Sequence, residues 1–226
     1  MVPFQNPSIE LFGLRIDEPI TVLTDMMVAA VGFIAYFSTI SSSNSRAVQL
    51  YRYFFLFTAF STLVAGFIGH AFAYKVGFEW RMIGWSFGIA SVAFAQFAVL
   101  QHTIESIGEK AALILRIFNV IELIVIVFIL AFYRTFIIVE IQAAIGLVLM
   151  VLMLESIHYN KTKSSFSLGL IIGIGITILA VISHVAKLAV SNWFNHMDLG
   201  HVLMAIALFV MYKGLQSEQK LNLVTI

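Results

Sequence analysis

The chain of 226 residues has no cysteine, three prolines and few charges, with Asp, Glu, Lys and Arg together making up only 11%. Soluble domains carry about 25%. Without cysteine there are no disulfides, no thiolate metal sites and no cysteine nucleophile. The formal net charge is +1, so no global field draws the chain to nucleic acid. The N-terminal stretch MVPFQNPSIELFGL lacks a basic region followed by an apolar run, and so does not read as a cleaved signal peptide.

What the chain does have is apolar sequence in long uncharged runs: 61% of its residues are hydrophobic and 21 are phenylalanine. A hydrocarbon core of ~30 Å takes about 20 apolar helical residues to cross. Seven stretches qualify: residues 20–40, 51–74, 81–101, 111–132, 135–155, 166–190 and 197–213. Turn-forming or charged segments separate them, such as SSSNSR at 41–46 and HYNKTKSS at 158–165. None alternates like a strand, and lipid-facing backbone must satisfy its own hydrogen bonds, so each reads as a helix. Pro19 stands near the first helical position, where its missing N–H costs nothing. Gly169, Gly173 and Gly175 lighten the sixth stretch for close helix packing. The expected fold is all-α: an integral membrane bundle of seven transmembrane helices, one domain over 1–226, without internal repeats.

Basic residues divide unequally between the two ends of such a bundle. Arg15, Lys75, Arg81, Arg134 and Lys187 fall on the side of the N-terminus. Arg46, Arg52, Lys110, Arg116, Lys161, Lys163, Lys213 and Lys220 fall on the other. The richer side is expected to be cytoplasmic. That puts the N-terminus outside and the C-terminus inside a cell (inner or plasma) membrane.

Ionisable residues within the stretches gather near the N-terminal side. Asp25 lies early in the first, His70 late in the second, Glu140 early in the fifth and His184 late in the sixth. His196, Asp198 and His201 head the seventh, in FNHMDLGHVLMAIALFVMYKG. Glu122, beside Asn119 in the middle of the fourth, stands apart. Helical spacing puts Asp25 on a stripe with Ala29 and Gly32, and His70 with Thr62 and Gly66. Such small-residue faces are where helices approach one another. Charged side chains at the bilayer centre cost ~2.5–3.5 kcal/mol on insertion scales and normally face partners inside a bundle. The arrangement implies an enclosed polar pocket. His102 and His158, at the other end among Glu105, Glu155 and Lys161, read as solvated interface residues.

The segment HMDLGHVLMAIALFVMYKG resembles the last helix of the CREST-type seven-helix superfamily, which includes alkaline ceramidases, the progestin/adiponectin (PAQR) receptors and hemolysin III proteins. That resemblance implies a zinc ion held by one histidine late in the second helix and two near the start of the seventh. His70 and His201 occupy matching places, with His196 as the third ligand. The sequence departs from the pattern in three places. His196 and His201 are about 140° apart on an ideal helix rather than one turn apart, which leaves Asp198 or His184 as alternative ligands. Gly66 stands where the superfamily has serine. Glu79 or Tyr74 must replace its aspartate. Asp17-Glu18-Pro19 with Asp25 is similar to an acidic segment of the superfamily, and no calcium site is inferred from it.

The resemblance implies a zinc-dependent hydrolase acting on an amide or ester of a membrane lipid, with Asp198 or Glu79 handling the proton. The alternatives are a non-catalytic metal- or lipid-binding protein, such as a receptor or complex subunit, and a haem protein with axial histidines. Retinal is excluded because the seventh stretch has no mid-membrane lysine for a Schiff base.

Overall fold

Long apolar runs bounded by turn-formers produce long helices, and the computed structural model, which describes residues 7–39 and 45–224, has seven of them. They are α1 (Pro19–Ser38), α2 (Arg46–Ala71), α3 (Phe78–His102), α4 (Glu109–Tyr133), α5 (Ile137–Thr162), α6 (Ser165–Val185) and α7 (His196–Ser217, continuing to Val224). Each is long and apolar enough to cross a membrane. Pro19 opens α1 as its position predicts.

Two strands were not foreseen. β1 (Ser8–Leu11) and β2 (Leu14–Asp17) form an antiparallel hairpin in which Leu11 pairs with Leu14. The two residues between them, Phe12 and Gly13, have φ of 52° and 75°. Positive φ at both positions matches the twist of a tight hairpin. The hairpin is tied to the segment after α2, because the Tyr74 hydroxyl donates to the Arg15 carbonyl at 2.8 Å. It lies at the end of the bundle where α1 and α7 start and α2 and α6 finish, against the last turns of α2, and this is called here the hairpin end.

Small residues set the helix contacts. A Cβ on Gly32 of α1 would come within 2.9 Å of the Phe55 carbonyl oxygen and 3.0 Å of Ala59 Cβ on α2. A Cβ on Gly169 of α6 would lie 2.8 Å from the Gly214 Cα on α7. Gly173 abuts Met211 in the same seam, whereas Gly175 meets nothing and points out of the bundle. Tyr51, Phe55, Leu100, Phe166 and Leu215 are fully buried among the helices. The outward stripe of α4, including Leu113, Ile117, Ile121, Ile124 and Phe128, is exposed, as a lipid-facing helix surface requires.

Two stretches are wound as π-helix: Ala65–Ala71 at the end of α2, and Ala144–Leu152 inside α5. Each widened turn rotates the residues beyond it relative to an ideal helix.

The opposite end corrects the expectation of solvated histidines. Glu155 is 0% exposed and accepts from the Tyr51 hydroxyl at 3.0 Å and the Ser167 hydroxyl at 2.7 Å. It also pairs with His102 Nδ1 at 2.9 Å. His158 Nδ1 bonds the Ser106 hydroxyl at 2.7 Å. A buried carboxylate needs such partners, and α2, α3 and α6 supply them to Glu155 of α5.

Candidate functional site

Asp25 is the seventh residue of α1 and is 1% exposed. It lies on the face that α1 turns toward α2 and α7. Gly66 lets α2 come close to it: a Cβ there would stand 3.1 Å from Asp25 Cβ and 3.6 Å from its Oδ2. The π-helical end of α2 then delivers His70, and the first turns of α7 deliver His201. The two imidazole centroids are 6.3 Å apart.

The hydrogen bonds fix how the rings face. His70 Nδ1 lies 2.7 Å from Glu18 Oε2, so the ring donates there. Glu18 is the residue between β2 and α1, held in a left-handed conformation with φ 48°. His201 Nδ1 lies 3.1 Å from Thr24 Oγ1. When the single Thr24 hydroxyl proton goes to the Thr21 carbonyl at 3.0 Å, His201 Nδ1 is the donor. With Nδ1 held by its outer partner, each ring, when neutral, turns an Nε2 lone pair toward Asp25. His70 Nε2 is 3.8 Å from Asp25 Oδ2, and His201 Nε2 is 3.5 Å from Oδ1. Asp25 Oδ2 is buried with no hydrogen-bond partner. Two Nε2 atoms and a carboxylate therefore face one another across a gap that no hydrogen bond closes.

His70 and His201 thus meet as their places in the sequence implied. His196 does not join them. It is the first residue of a regular α7, so no widened turn brings it onto the face of His201. Its ring instead lies 5.0 Å from that of His184 on α6, a second pair beside the first. Asp198 is 0% exposed, and its Oδ2 accepts from the Asn195 backbone N–H at 2.6 Å. The Asn195 side chain in turn accepts from the Met197 N–H at 2.8 Å, which makes a reciprocal cap at the helix start. The other Asp198 oxygen, Oδ1, is buried without a partner.

Two expected residues lie outside the cluster. Glu79 sits exposed on the short 3-10 turn that begins α3, and Glu140 is exposed on the outer face of α5. Glu79 belongs to the connection rather than to a buried face, and the helical phase of α5 turns Ile138, Val139 and Gln142 inward in place of Glu140. The sequence reading gave no role to Glu18 and overlooked Thr24. A carboxylate directly before a helix-opening proline was the available signal for the first.

Among the described residues, no three His, Asp or Glu side chains already converge closely enough to hold a metal ion. Asp25, His70 and His201 approach one another, and Asp25 Oδ2 is buried there without a hydrogen-bond partner. One family model, for a family of unknown function, matches residues 20–220. No curated protein and no solved structure matches the chain.

Proposed function

Taking as premise that the chain belongs to the DUF6962 family, a family of unknown function, we propose from its own residues that it is a zinc-dependent hydrolase of a membrane lipid. It spans a cell membrane with the N-terminus outside and the C-terminus cytoplasmic. Its substrate carries an amide or ester bond.

One observation carries the reading: the Nε2 atoms of His70 and His201 face the two oxygens of one carboxylate at 3.8 and 3.5 Å. With both rings neutral, a cation between them is accepted by all three groups. Ligand atoms bound to zinc at about 2.0–2.1 Å in a tetrahedron lie roughly 3.3–3.4 Å apart. Asp25, His70 and His201 would hold zinc once the two imidazoles, whose centroids are 6.3 Å apart, move nearer to one another. The other imidazole nitrogens are held by Glu18 and Thr24, as metal-binding histidines commonly are held by an outer partner. A haem between the rings would need the place taken by the Asp25 carboxylate.

When bound, zinc supplies a Lewis acid that brings the pKa of water to about 7. Asp25, His70 and His201 hold and orient it. Asp198, with one buried oxygen free, is the carboxylate that accepts a proton. About 9 Å of helix separates Asp25 from the start of α1, which puts the cluster near the edge of the hydrocarbon core, where the ester or amide linkage of a lipid lies. The resemblance of α7 to the alkaline ceramidase group favours the same chemistry.

A non-catalytic zinc protein, a receptor or complex subunit, is the second reading, and Gly66 favours it. The superfamily serine is absent, and Asp25 fills the space that its side chain needs. Elemental analysis of detergent-purified protein, with a screen of lipid esters and amides, decides between them. The expected result is one zinc per chain and turnover of one lipid class, both lost in His70→Ala and His201→Ala. Zinc without turnover supports the second reading. Turnover that persists in both variants rejects the hydrolase site.

A further inference from the structure

A second group of polar side chains lies far from the histidines, in the middle of the helices. Glu122 is the fourteenth of the 25 residues of α4 and is 7% exposed. Its Oε2 accepts from Gln96 Nε2 on α3 at 2.6 Å. Asn119, one turn earlier on α4, donates from Nδ2 to the Ala93 carbonyl at 3.4 Å. Gln142 of α5 donates from Nε2 to the Ile89 carbonyl at 3.2 Å. Gln142 is one turn before Gly146, and a Cβ on Gly146 would sit 3.1 Å from Gln96 Cδ. Gln96, Asn119 and Gln142 are each 0% exposed.

Each amide of this group directs an N–H at an acceptor, and four side-chain oxygens are left without a partner. Glu122 Oε1, Gln96 Oε1, Asn119 Oδ1 and Gln142 Oε1 are all buried without a hydrogen-bond partner. Turning an amide over does not help, because each NH₂ already serves a carboxylate or a backbone carbonyl that would lose it. One proton on Glu122 would satisfy one oxygen and leave the others. Four buried oxygens without a partner, one of them from a single carboxylate, are the surroundings that a hard cation takes. No salt bridge to a Lys, Arg or His reaches Glu122 among the described residues, so a monovalent ion balances the charge and a divalent one does not. The π-helical winding of α5 begins two residues after Gln142 and widens the helix where Gln96 packs.

We propose that Glu122, Gln96, Asn119 and Gln142 form a sodium site between α3, α4 and α5. Sodium entering there joins the three helices through their side-chain oxygens. This site is independent of the zinc reading, since it shares no residue with the histidine cluster.

The test is thermal unfolding of the purified full-length protein in detergent, with NaCl titrated against choline chloride at constant ionic strength and pH. The expected result is a saturable rise in Tm with sodium alone. Glu122→Gln is expected to lose at least nine-tenths of that rise, and His70→Ala to keep it. Should Glu122→Gln fail to fold, Gln142→Leu and direct binding of radioactive sodium to the wild type carry the test. Equal responses to sodium and choline overturn the proposal. So does a Tm that follows pH and ignores sodium, because Glu122 then carries a proton or the oxygens share a water.

Discussion

At the scale of single residues, the hairpin-end cluster turns on which ring nitrogen carries a proton. Glu18 and Thr24 decide this by binding Nδ1 of His70 and His201, and so leave both Nε2 atoms facing Asp25. Replacing an outer partner of a metal ligand costs 10–100-fold in affinity. Glu18→Gln keeps the size of the side chain and removes its charge, so it is expected to weaken zinc binding by about 10–100-fold without abolishing it. Competition with a chromophoric chelator measures this. An unchanged affinity shows that Glu18 does not support a ligand. Of these residues, Asp25, His70 and His201 were legible in the sequence, because ionisable side chains in apolar runs are conspicuous. Glu18 and Thr24 were not assigned roles, because a carboxylate before a helix and a threonine within one are ordinary until tertiary contact gives them a partner.

At the scale of elements, the seven helices were legible to within a few residues at most ends, because span length and the polarity of the connections dictate them. The winding was not. Both π-helical stretches lie beside polar groups, one at His70 and the other at Gln142 and Gln96, and no composition signal marks them. For that reason the sequence did not reveal Gln142, and it pointed instead to Glu140, which the helical phase turns outward. Glycine spacing was half informative: Gly169 and Gly173 lie in the α6–α7 seam as expected, and Gly175 does not. Gly169→Val pushes on the Gly214 backbone, which cannot move aside as a side chain can, and is expected to cost about 1–3 kcal/mol or more of stability. Gly175→Val, on the same helix and with the same side chain, is expected to have no comparable effect. Tm in detergent compares the pair. Equal losses mean that helix propensity, and not the seam, sets the cost.

At the scale of the whole molecule, polar side chains occupy three levels of an otherwise apolar bundle. Asp25, His70 and His201 lie at the hairpin end, Gln96 and Glu122 in the middle, and His102 and Glu155 at the opposite end. α3 contributes to the middle and opposite levels, and α4 meets α3 through Asn119 and Glu122 in the middle and through Arg116, which donates to Gln101 at 3.2 Å. The consequences for function depend on which end faces which compartment, since a hydrolase opening outward meets different lipids from one opening inward. Eight basic residues on the opposite end against five on the hairpin end favour that end as cytoplasmic. The absence of cysteine makes the question answerable, because an introduced thiol is the only one in the chain. Ser8→Cys, exposed on β1, is expected to react with a membrane-impermeant maleimide on intact cells. Glu109→Cys, exposed at the start of α4, should react only after permeabilisation, and it leaves the count of basic residues unchanged. The reverse pattern inverts the bundle and moves the histidine cluster to the cytoplasmic leaflet, with its internal geometry untouched. Labelling of both positions in intact cells would show that the protein is not inserted with the seven crossings that its helices allow.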